Sequence, residues 1–350
     1  MTRRSLISLA LFLVALDVTM AAQRGRSAGT AKPNPESRHY AVYVSNERSL
    51  SVSVIEGDPD HVVATIPVGT RPRGLHLSAD GRRLYVALSD NAQRLQGSGD
   101  GIAVIDTGTR QIVQRFEAGS DPEQFAIAPD GRYLYSANED AGTATITDVA
   151  TGKALATLIV GIEPEGVGVS PDGRWVYVTA ETSNTVSVVN TVQRKVAASF
   201  MVDPRPRGVA FSPDGRRAWV TAEIGGSVHE IDTATRRVLR TLPLGPGAKP
   251  VGVAVGPGGA PVYIADGAGS RVIVLDPQTG RIGTSIAVGR RPWGIALTPD
   301  GRRLYTANGV SNDVSVVDTA AGTVIATIRA GDGPWGIAIG PAPRTAASTN

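Results

Sequence analysis

Short apolar runs recur along this chain in one order, each separated from the next by a polar turn. The order is a Gly/Ala/Val run, a Pro-Asp-Gly turn, a Tyr-Val-Thr run, a polar turn, a Val-Ser-Val run, a Thr/Gly turn and a Val-Ala-Thr-Ile run. Pro164-Glu165-Gly166-Val167-Gly168-Val169-Ser170-Pro171-Asp172-Gly173-Arg174-Trp175-Val176-Tyr177-Val178-Thr179 carries the first half, and Pro206 to Thr221 repeats it. Proline presets φ at the start of such a turn, glycine accepts φ > 0, and β-branched flanks favour extended backbone, so the pattern predicts four antiparallel strands per repeat. The Asp of the turn reads as structural.

The turn glycines Gly81, Gly131, Gly173, Gly215, Gly259 and Gly301 are spaced by 50, 42, 42, 44 and 42 residues. Four-stranded repeats of that length predict an all-β, seven-bladed β-propeller. The seven come from the aligned second-strand aromatics: Tyr43, Tyr85, Tyr135, Tyr177, Trp219, Tyr263 and Tyr305. Blades bury both sheet faces, which explains apolar runs without strict alternation, such as Ile102-Ala103-Val104-Ile105. Small residues two places after the Gly that opens the first strand (Gly168, Ala210, Ala254, Ala296, Ala338) suit crowding at the axis. The chain ends on an extra first strand, Trp335 to Gly340, which is expected to complete the opening blade and close the ring.

The propeller is expected over residues 40–341 as one domain, despite a length that alone would suggest two. Ahead of it, Arg3 and Arg4, the apolar run Leu6 to Leu16 and the small Ala21-Ala22 predict a secretory signal peptide over 1–22, with an uncleaved anchor as the alternative. Residues 23–39 read as a polar flexible segment and 342–350 as a flexible tail. The mature protein is thus expected to be periplasmic or secreted, with no membrane span after cleavage. The chain has no Cys, which excludes disulfides, lipid attachment at Cys, c-type haem and thiolate metal sites. Its formal charge of +3 falls to +2 without residues 1–22, which removes any global electrostatic case for nucleic acid or membrane binding.

Propeller connectivity places the interblade linkers and the turns between second and third strands on one face, around the mouth of the channel, where function concentrates. Residues flanking the linker prolines supply the candidate binding set: Arg71, Arg73, Glu123, Glu163, Glu165, Arg205, Arg207, Lys249, Arg291, Trp293 and Trp335. The arginines could grip carboxylates of a partner or small anionic ligand while the tryptophans offer stacking surfaces. The alternative is mutual neutralisation between blades, with the tryptophans as plugs. A weaker metal set follows the second strands: Glu139, Glu181, Glu223 and Asp266, with Glu47, Asn46, Asn138 and Asn308 alongside, offering oxygen ligands to calcium. His39, His61, His76 and His229 are dispersed, and His76 stands out by taking a position that is Gly or Ala elsewhere. No nucleophile with an evident base partner emerges, so no catalytic residue is assigned, no cofactor is expected and the chain reads as a non-enzyme.

The second strands Tyr43-Val44-Ser45-Asn46, Tyr177-Val178-Thr179-Ala180 and Trp219-Val220-Thr221-Ala222 resemble the YVTN family of β-propeller repeats. Asp121-Pro122-Glu123, Asn138-Glu139-Asp140, Glu163-Pro164-Glu165-Gly166, Glu223-Ile224-Gly225-Gly226-Ser227 and Thr306 to Val316 are similar to the PQQ-dependent catabolism-associated β-propeller proteins, across residues 40 to 341. The resemblance implies an exported seven-bladed protein associated with quinoprotein alcohol oxidation and an ABC-type transport system, and it carries over no catalytic residue. Two departures stand out: the turn after Tyr85 is extended over Asn91 to Gly99, and Gly256-Pro257-Gly258-Gly259 lacks the turn Asp. The expected function is a binding or scaffold protein with a periplasmic protein partner. The alternatives are a calcium-assisted lactonase-like hydrolase and a single-stranded nucleic-acid-binding propeller, the latter opposed by the acidic third and fourth blades.

Overall fold

The computed structural model describes residues 40–89 and 99–343. The expected signal peptide, the segment before Tyr40, nearly all of the extended turn after Tyr85 and residues 344–350 of the tail lie outside them. Among the described residues are seven four-stranded antiparallel sheets, and six of them take their four strands consecutively from the chain. Blade 4 is typical, with strands Pro164–Val169, Trp175–Ala180, Thr185–Asn190 and Lys195–Met201 running from the axis outward. Blade 1 is composite: Pro334–Pro341 pairs with Tyr40–Asn46, ahead of Ser51–Gly57 and Asp60–Pro67. The ring therefore closes as the sequence predicts. Across the closure, Val42 and Val44 pack with Tyr305, Val314 and Val316 of blade 7.

The burial pattern explains the sequence pattern. Second and third strands are buried on both faces, as in Trp175–Ala180 and Thr185–Asn190, whereas the outer Arg237–Pro243 alternates between exposed and half-buried positions. Only the outer strand needs polar alternation. The Asp of the first turn is tied down locally: Asp172 Oδ1 accepts from the Ser170 hydroxyl (2.6 Å) and the Arg174 N–H (3.0 Å), while Gly173, at φ +70°, donates to the Ser170 carbonyl. Blade 6, without that Asp, keeps the turn through the Gly259 N–H to the Gly256 carbonyl at 2.8 Å.

The hydroxyl of the Tyr-Val-Thr motif joins adjacent blades. Thr179 Oγ1 accepts from the Gly166 N–H (2.8 Å) in its own blade and donates to the Arg207 carbonyl (2.9 Å) in the next. Thr221 does the same between Gly208 and Val251, and Ser45 between Gly336 and Arg73. A Cβ on Gly166 would overlap the Arg207 carbonyl oxygen, so glycine there serves the close approach of inner strands.

Candidate functional site

The mouth is assembled by one local device. In the six blades where the residue after the second strand is described, its N–H donates to the carbonyl of the residue before the linker proline, as in Glu181 N–H to Glu163 (2.8 Å) and Glu223 N–H to Arg205 (2.8 Å). Asp121, Glu163, Arg205 and Arg291 hold left-handed φ of 50 to 63° to do so. Each linker thereby lies against a strand end that carries a carboxylate in most blades. The preceding Asn or Asp serves the blade interior: Asn138 Nδ2 donates to Thr143 and Thr145, Asn46 Nδ2 to Ser51 and Ser53, and Asn308 Nδ2 to Asp313 and Ser315.

Two ion-pair networks result. In the first, Arg71 reaches Asp121 (3.1 Å), Glu123 (3.3 Å) and Glu47 (3.4 Å), and Arg73 reaches Glu123 (3.0 Å), with Ser89 hydrogen-bonded to both Arg71 and Asp121. In the second, Arg207 is 7% exposed and contacts Glu165, Glu181 and Glu223, the last at 2.8 Å. Arg205, 43% exposed, lies over Glu181 (2.8 Å) and Glu223 (3.3 Å), and Arg291 approaches Glu223 at 3.7 Å. Trp335 and Trp293 stack between the networks, with centroids 6.2 Å apart and planes 25° apart. Arg73 lies 4.9 Å above Trp335, and Arg291 and Arg207 lie 4.4 and 5.3 Å from Trp293.

Of the candidate set, Glu163 and Lys249 are exposed: Glu163 accepts from the Thr182 hydroxyl, and Lys249 is held through its backbone, its N–H donated to Asp266 and its carbonyl accepting from Gly267. The weak metal set divides. Glu181 and Glu223 belong to the Arg207 network, and Asp266 pairs with Arg271 (2.8 Å) inside its own blade. Glu139 joins Asp121 and Glu123, with ligand-capable oxygens of all three within 4.8 Å of one another. Asp121, outside the candidate set, was recognisable by its position before a linker proline.

The electrostatics follow from burial. Burial pulls the Arg207 guanidinium down, but Glu165, Glu181 and Glu223 outweigh it and the group is held above its ordinary value. Burial and the Glu165 neighbour push Glu181 up, while Arg207 overcomes the burial of Glu165 and holds it low. Of the two carboxyls, Glu181 is therefore the one that keeps its proton to higher pH. Burial likewise raises Glu123 against the pull of Arg73.

Behind the mouth is a cavity of about 190 Å³ lined by inner-strand residues, His76, Gln124 and the two tryptophans. That is below the roughly 300 to 1,000 Å³ of typical small-molecule sites. His76 faces this lumen, packs edge-to-face on Phe125 (5.0 Å) and is lowered to about 4 by burial, against a hydrogen bond to the Phe125 backbone. It is neutral at physiological pH. His229 is also structural, with its Nε2 accepting the Asp203 N–H (3.0 Å).

A family model for the cytochrome D1 haem domain matches residues 94–199. Antigen Lp49 of Leptospira interrogans is 32% identical over 99 residues, which is 27% of this chain and 22% of that protein's length. Among solved structures, a chain of Kuenenia stuttgartiensis hydrazine synthase aligns with TM-score 0.72 and 23% identity, covering 85% of this chain and 99% of that one. A protein of unknown function from Desulfotomaculum acetoxidans aligns with TM-score 0.72, 19% identity and coverage of 85% and 98%. A candidate 6-phosphogluconolactonase from Bacteroides uniformis aligns with TM-score 0.71, 17% identity and coverage of 87% and 100%. These similarities support a β-propeller family and, at such identities, speak for the fold.

Proposed function

We propose that this chain is an exported, non-enzymatic binding or scaffold propeller associated with PQQ-dependent alcohol oxidation, whose Arg/Glu/Trp mouth docks a periplasmic protein of that oxidation system or of its transporter. The association rests on the stretches that resemble the PQQ-dependent catabolism-associated propellers, among them Glu163-Pro164-Glu165-Gly166 and Thr306 to Val316. The observation that carries the binding role is the mouth itself: its buried arginines are held by the protein's own carboxylates, which leaves a preorganised surface with Trp293, Arg291, Glu163 and Lys249 at its accessible edge. Preorganisation lowers the entropy cost of docking, and Arg and Trp are enriched at interface hot spots. Arg71, Arg73 and Arg207 act in this reading as internal braces, and the exposed groups contact the partner.

The test is co-purification of the tagged propeller from periplasm beside the Arg291→Glu/Lys249→Glu variant, with an unchanged melting curve identifying the folded variant. A dehydrogenase, cytochrome or transporter component retained by the parent and lost by the variant supports the reading. Identical material in both preparations overturns the assignment of the mouth. A second reading, a calcium-assisted lactonase-like hydrolase, draws on the Asp121–Glu123–Glu139 group and the lactonase-like neighbour. Arg71 and Arg73 already occupy the positive side of that group at 3.0 to 3.3 Å, which disfavours a second cation there.

A further inference from the structure

A seven-fold repeat supplies its own internal comparison: a side chain demanded by the fold should recur at the same position in other blades. Large exposed apolar residues on the mouth face break that rule. The last residue of the outer strand, opposite the start of the third strand, is Ile159 in blade 3 (84% exposed) and Met201 in blade 4 (68%). In the other blades it is Pro67, Pro243, Ala287 or Arg329, and in blade 2, where the strand ends at the buried Phe116, the next residue is Glu117. Two places before the linker proline stands Ile162, 60% exposed, where the other linkers carry Thr70, Ser120, Pro204, Ala248, Arg290 and Asp332. After the second strand, blade 5 has Ile224, 63% exposed, where Arg48, Asp140, Thr182 and Ala268 stand elsewhere, and only Val310 of blade 7 is comparable.

Four of these side chains fall on the consecutive blades 3 to 5, and the connections make them one arc. Ile162 donates its N–H to Ser183 in the turn of blade 4 (2.7 Å), and Asp203 of the next linker lies against Gly225, beside Ile224, in the turn of blade 5. The polar groups along the arc are acidic. Asp140 and Glu163 are exposed and make no ion pair among the described residues, and Asp203, 41% exposed, is met by the Ser227 hydroxyl and His229. Arg205, the cation among them, is committed to Glu181 and Glu223. Exposed apolar side chains on adjacent blades, with one sign of charge beside them, mark a docking surface.

We infer that the arc Ile159–Ile162–Met201–Ile224, edged by Asp140, Glu163 and Asp203, docks a protein segment that presents apolar side chains interleaved with Lys or Arg. This rests on the mouth face being the docking face and adds the chemistry of the partner. It is tested with two synthetic peptides, one alternating Leu with Lys and one alternating Leu with Glu, titrated by fluorescence anisotropy against the full mature chain. The Lys peptide should bind and the Glu peptide should not. Ile162→Ser/Ile224→Ser should weaken binding at least about tenfold, and Asp140→Lys/Glu163→Lys should transfer binding to the Glu peptide. Val192→Ser, at an 82% exposed position on the opposite face, should leave it unchanged. All five positions are exposed, and unchanged melting curves identify folded variants.

Equal binding of both peptides, or equal losses at Val192 and at the arc, overturns the inference. So does a parent dimer that Ile162→Ser dissociates in sedimentation, or capture by phosphatidylglycerol vesicles that Ile162→Ser abolishes while neither peptide binds. Those outcomes give the face to a second copy or to a membrane. Co-purification that survives Ile162→Ser and is lost in Arg291→Glu/Lys249→Glu would retain the mouth as a docking site and remove only this arc.

Discussion

Replacing Arg207 by Met removes a single charge but strands three carboxylates. In the parent, Arg207 is 7% exposed, Glu165, Glu181 and Glu223 beside it are equally buried, and the raised Glu181 carboxyl together with Arg205 above Glu181 and Glu223 offsets the remaining negative charge. Removing one partner of a buried ion pair costs about 3 to 5 kcal/mol, because the remaining charge is neither solvated nor paired. Unfolding entropy of about 2.1 cal/mol/K per residue, taken over Tyr40 to Pro341, converts about 4 kcal/mol into a fall of about 6 °C in Tm. Arg205→Met is the matched control: it touches Glu181 and Glu223 from solvent, at 43% exposure, and should cost less than about 1 kcal/mol.

The pH dependence gives the sign. Without Arg207, burial raises the carboxyls above their unfolded values, so the protonated fold is fully stable below about pH 4.3 and loses stability as pH rises through the raised values. The Arg207→Met deficit should therefore be largest at neutral to alkaline pH and shrink on acidification. Thermal melts of the parent and both variants from acid to mildly alkaline pH read it directly. Equal losses for Arg205→Met and Arg207→Met, or a deficit that does not change with pH, would refute the burial argument.

Other outcomes follow from the same geometry. Glu181, pushed up to about 10 mainly by burial, contributes stability that is lost as pH rises from the ordinary carboxylate range toward that value, so Glu181→Gln should melt above the parent at pH near 9 and show a flatter pH profile. His76, lowered to about 4, should hold one neutral tautomer in ring-nitrogen NMR from pH 7 to about pH 5; its contribution to stability is complete above about 6.5 and is lost as pH falls toward 4. Thr179→Val leaves the Gly166 N–H and the Arg207 carbonyl without their shared hydroxyl, at a cost of about 1 to 3 kcal/mol in denaturant unfolding.

Much of the architecture was legible in the residues because a repeat aligns with itself. The second-strand aromatics gave seven blades, and the surplus strand at Trp335 gave the closure. The face on which the linkers gather followed from connectivity. What Arg71 and Arg207 touch did not, because most of their carboxylate partners sit on other blades and are brought together by the left-handed linker residues, which the sequence does not announce. The inter-blade role of Thr179 was hidden for a related reason: its acceptor is the carbonyl of Arg207, and backbone acceptors leave no mark in a sequence. The apolar rim needed exposures, since Ile159 ends a strand in which alternate positions are half-buried.

The central claim, a protein partner on the mouth face, is tested most directly by site-specific photo-crosslinking in the native periplasm. A photoreactive residue at position 163 on the mouth face is compared with one at position 302, where Arg302 is 83% exposed at the opposite end of the blades. A partner on the mouth face gives a discrete protein adduct from 163, and none of the same mass from 302. An adduct from 302 alone, or the same adduct from both, would contradict it.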